Sequence, residues 1–173
     1  MKKSKKISIS AILSALSVVV IYLGSVFEVL DLSAAAIASI AIIFAQIELK
    51  SPYPYLIYAT TSVLALLLIP SKFSALLYVL MGGLYPLVKQ PVERLPKIPK
   101  ILIKTACFLL IMAISAFLLV FVFLLPVGEL FSLYYLGVFL VCAVTFFLYD
   151  YALNMMIAFY FHRLRKKIKK FLN

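Results

Sequence analysis

Only six of the 173 residues are acidic, one is a histidine and two are cysteines. So few acids and imidazoles leave little for hydrolytic or metal chemistry. There is no HExxH for zinc, no histidine available for a Ser-His pair, and no GxxxxGK[ST] loop to hold a nucleotide. Cys107 and Cys142 each lie inside an apolar run without CxxC spacing, and so act as small hydrophobes rather than as a metal site or a disulfide framework. His162 stands beside Arg163 and reads as an interfacial polar residue. No enzyme, cofactor or metal is expected.

Charge as a whole is scarce. Charged residues make up 13% of the chain and hydrophobic ones 66%, with a mean hydropathy of +1.16. A soluble domain carries roughly a quarter charged residues, so this chain has too little polar surface to coat a globule. It reads as an integral membrane protein. The net charge of +11 does not indicate nucleic acid, because the 17 cations crowd into short segments between apolar runs. That distribution marks cytoplasmic loops facing anionic inner-leaflet lipid. Alternation of apolar and polar residues is missing, so strands are not expected.

A bilayer core about 30 Å thick takes roughly 20 apolar residues as a helix. Six stretches qualify: residues 7–27, 32–47, 53–69, 73–88, 101–125 and 131–161, followed by a basic tail, 162–173. The apolar part of the first is longer than a signal peptide's, and it reads as a retained span. Pro52, Pro54, Pro70, Pro91, Pro96, Pro99 and Pro126 punctuate the breaks. Lys2 to Lys6, Lys50, the cluster Lys89, Arg94, Lys97 and Lys100, and the tail all fall on one side when six spans are threaded. The expectation is a single all-α domain, 1–173: a bundle of six transmembrane helices with both termini cytoplasmic.

Small residues form stripes. Ala34, Ala38, Ala41 and Ala45 share one face of the second span, and such faces let helices approach closely in lipid. The first span carries Ser8, Ala11 and Ala15, with Ser10, Ser14 and Ser17 beside them. Ala11 and Ala15 meet either an internal neighbour or an external partner near the cytoplasmic face. Within the sixth span Asp150 is costly in lipid, lies roughly 20 Å along the helix from Arg163 and has Asn154 one turn on. Lys104 in the antiparallel fifth span is its candidate partner, in a structural ion pair or in a transport role. Gly82, Gly83 and Pro86 predict a bend in the fourth span.

A basic N-terminus, the AxxxA element Ala11–Ala15 and six spans in under 200 residues together resemble the substrate-binding S components of energy-coupling factor transporters. LLYVLMGGLYPLVKQPVER (76–94) and FFLYDYALNMMIAFYFHRLRKK (146–167) are also similar to uncharacterised six-span proteins of the Gram-positive plasma membrane. The first resemblance implies that Ala11 and Ala15 dock a transmembrane coupling protein that works with two ATPases. It further implies a small, vitamin-like solute in the outer half. Tyr22, Glu28, Asp31, Glu129, Tyr134 and Tyr135 would rim that pocket, favouring a cationic or neutral ring-bearing solute. The alternative is a structural or assembly protein of cell-shape or division type, without solute transport.

Overall fold

The computed structural model describes residues 3–27, 30–93, 95–122 and 133–160. Every element among them is helical. α1 (Lys3–Val26) begins in the lysine run and continues without proline; α2 (Asp31–Phe44) opens on an acid, which suits the positive end of a helix dipole. α2 passes into a π-helical turn, Ala45–Leu49, closed by the Lys50 N–H donating to Ala45 O at 2.9 Å. α3 (Tyr53–Leu68) has Pro52 and Pro54 at its start, where no intrahelical donor is required, and stops at extended Ile69 before Pro70. The Ser71 hydroxyl caps α4 (Lys72–Leu77), which runs through a second π segment, Tyr78–Gly83, into α5 (Leu84–Val92). α6 (Lys97–Val122) and α7 (Leu133–Phe159) follow.

The bend expected around Gly82, Gly83 and Pro86 takes the form of that second π segment. Pro86 has no N–H for the carbonyl four residues back, and widening the preceding turn separates the two. Pro91 in turn offers no N–H to Leu87 O. Gln46 on α2's π turn supplies amide protons instead, its Nε2 lying 3.1 Å from Pro86 O and 3.5 Å from Leu87 O. A Gln46→Leu substitution is therefore expected to cost about 1–2 kcal/mol, seen as a fall of about 5 °C in Tm in detergent.

The chain forms two compact units: residues 1–94 with 156–173, and residues 95–155. In the first, small residues set the helix spacing. A Cβ on Gly24 would strike the Ala34 Cβ, and one on Gly82 would come within 2.9 Å of Ala35 O. Ala34, Ala38, Ala41 and Ala45 are all buried, and around them Ile21, Ile42, Leu49, Ile57, Ile69 and Tyr78 are covered almost completely. In the second unit, Phe108 packs against Phe139 and Phe146, with ring centroids 5.7 and 5.1 Å away.

Four stretches among the described residues are long and apolar enough to cross a membrane: Lys3–Val26, Asp31–Leu49, Ile98–Ser115 and Phe139–Phe159. α3, at 16 residues, is shorter than that measure, and the α4–α5 rod, which carries Lys72, Lys89 and Gln90, is not among the four. Large apolar side chains such as Leu16, Leu67, Leu102, Val141 and Phe147 stand exposed, as they do on a surface meant for hydrocarbon.

Candidate functional site

The small residues of α1 divide between two faces. Ser10, Ser14 and Ser17 turn inward, each donating its hydroxyl to the carbonyl four residues earlier at 2.8–2.9 Å. Such back-bonding satisfies a hydroxyl without water, which suits an apolar interior. The Ser14 and Thr60 hydroxyl oxygens lie 2.8 Å apart and tie α1 to α3. Ala11 and Ala15 sit on a different face and are exposed, together with Ser8, Ile12 and Tyr22. At about 100° per residue, the alanines lie roughly opposite Leu13 and Val20. On this side of α1 the two alanines lie among larger exposed side chains, Ile12, Leu16 and Val19. On α3, Ala59 and Val63 are exposed as well.

The residues expected to rim an outer pocket are only partly described. Glu28 and Glu129 lie outside the described residues, as do the side chains of Tyr134 and Tyr135 and all of His162. Tyr22 is exposed. Asp31 is half-buried and accepts a 2.7 Å hydrogen bond from the Ser74 hydroxyl, which joins the start of α2 to α4. Sequence gave no sign of that partner, 43 positions away on another helix. Two hollows formed by described residues of the first unit are lined by neither Tyr22 nor Asp31. One, of about 180 Å³, lies among Gln46, Ser51, Tyr55 and Gln90. The other, of about 290 Å³, is an apolar groove flanked by α1, α2 and the end of α7.

In the second unit Lys104 Nζ lies 2.6 Å from Asp150 Oδ2, each side chain 14% exposed. A heptad from Lys97 to Lys104 carries the ammonium two turns into α6, level with a carboxylate about two-thirds of the way along antiparallel α7. At this distance, and largely away from water, the two side chains share one short hydrogen bond from the lysine to the carboxyl oxygen. Tyr149 is buried beside the pair; Asn154 and Tyr151 face outward. Cys107 and Cys142 are free thiols, and no group of three metal-ligating side chains occurs among the described residues.

Other polar ties went unnoticed in the sequence. Lys6 Nζ donates to Leu49 O at 3.3 Å and lies 5.4 Å from the Tyr53 ring centroid, and Tyr160 donates to Glu48 Oε1 at 3.1 Å. The only available signal was a polar residue at the end of an apolar run, which does not specify a partner. No protein-family model, curated protein or solved structure matches this chain.

Proposed function

We propose that this chain is a six-span membrane subunit, both termini cytoplasmic, that acts by docking a partner through the Ala11–Ala15 face of α1. The S component of an energy-coupling factor transporter is the reading it supports best. In that role it binds a small solute, while a transmembrane coupling protein and two ATPases supply the energy. One observation carries the proposal: Ala11 and Ala15 are exposed, although the serines beside them are consumed in internal packing. A strip of small side chains at the cytoplasmic end of a span lets another helix approach to backbone contact. Six helical rods among the described residues, with most lysines and arginines of the sequence near alternate ends and Lys72 the exception, support the span count and orientation.

A second reading is an assembly subunit that binds helices and no solute. The bond between Asp31 and Ser74 favours it, since that carboxylate already has an internal role. Affinity purification from membranes separates the two. The double substitution Ala11→Leu/Ala15→Leu is expected to lower co-purified ATPase subunits at least tenfold while the lone protein keeps its Tm. Unchanged recovery would remove the docking proposal. Recovery of other membrane proteins, without ATPases or retained solute, would select the assembly reading.

A further inference from the structure

The apolar groove on the first unit lies on the side of α1 away from Ala11 and Ala15, so the proposed docking does not use it. Ala38 and Ala41 form its floor, and their short side chains leave the hollow; Leu16 and Ile37, both more than half exposed, are its rims. Its polar atoms are already engaged. The Ser17 hydroxyl donates to Leu13 O at 2.8 Å and the Tyr160 hydroxyl to Glu48 at 3.1 Å. A polar solute placed there would lose its water and gain no partner, so the occupant is hydrocarbon.

α1 also supplies a charge in line with this hollow. Lys6, Leu13, Ser17 and Val20 share one helix face, and Lys6 lies about 10 Å from Leu13 toward the N-terminus. Its ammonium is held in place by Leu49 O and the Tyr53 ring. An ammonium has three N–H donors, and Leu49 takes one. A cation at one end of a hydrocarbon trough is complementary to a molecule that is anionic at one end and apolar beyond it.

We infer that the groove is a site for one anionic phospholipid of the inner leaflet, its acyl chain along Leu16, Ile37 and Ala41 and its phosphate at Lys6. The full-length protein in detergent, titrated with phosphatidylglycerol or with phosphatidylcholine of the same chains, tests this by Tm and native mass spectrometry. Phosphatidylglycerol should raise Tm by about 5 °C near saturation, since a ligand of the folded state stabilises by mass action. One molecule should remain bound, and phosphatidylcholine should do neither. Leu16→Trp, or Ile37→Trp should the first fold poorly, fills the trough from its rim and should abolish the shift while keeping the lipid-free Tm. Lys6→Gln should reduce the phosphatidylglycerol shift to that of phosphatidylcholine. Equal shifts from the two lipids, or a phosphatidylglycerol shift that survives both kinds of substitution, would overturn the inference. So would a wild-type dimer that Leu16→Trp converts to monomer, because a second copy would then be the occupant.

Discussion

Lys104→Met is expected to lower the Tm of the purified protein by about 10 °C, and Asp150→Leu by less. Both remove one half of a 2.6 Å ion pair that is largely hidden from solvent. Breaking such a pair costs about 3–5 kcal/mol because the remaining charge keeps its desolvation penalty. The asymmetry follows from side-chain length. A lysine has a long stem with which to reach the interface, whereas an aspartate carboxyl cannot leave its depth in the helix. Asp150→Asn keeps an acceptor for the ammonium and should fall between wild type and Asp150→Leu. The double variant Lys104→Met/Asp150→Leu should recover most of the loss, because a matched apolar pair needs no counter-charge. Should the double variant be as unstable as the sum of the singles, the two residues are not coupled and the pair has no structural role.

The second large effect concerns Gly24. A Cβ there meets the Ala34 Cβ on α2, so even Gly24→Ala forces α1 and α2 apart. Overpacking of this kind costs about 1–3 kcal/mol. Gly24→Leu, whose side chain has nowhere to turn, should cost at least the upper figure and strongly reduce folded protein recovered from membranes. Adding Ala34→Gly to Gly24→Ala restores the lost space and should return Tm to within about 2 °C of wild type. If it does not, the approach of these two helices is not what Gly24 secures.

Hydropathy and proline positions made the helical rods legible. Residues 7–27 became Lys3–Val26, and residues 53–69 became Tyr53–Leu68, because chain breaks follow local rules about donors and φ. The alanine face of α2 was equally readable, since four small residues at helical spacing have one side to share. On α1 spacing was insufficient. The serines and alanines there are interleaved, and packing against α2 and α3, at Gly24 and at Ser14 beside Thr60, decides which set turns inward. The π segments were hidden for a different reason. Gly82, Gly83 and Pro86 announce a weak point, but the register of a widened turn depends on Ala35 and Tyr58 packing against it. Asp150 announced itself as a costly charge, whereas Asp31 was expected on the rim of an outer pocket, with nothing in its spacing to announce its bond from Ser74. Partners from distant helices are a property of packing, which sequence spacing does not encode.

The union of Lys104 with Asp150 has an electrical corollary. In a polarised membrane one elementary charge moved through 100 mV exchanges about 2.3 kcal/mol with the field. Two opposite charges held at nearly the same depth would feel equal and opposite forces, so the pair itself would experience almost no net pull from the potential. Paired, the two residues would leave α6 and α7 without a lone gating charge at that depth.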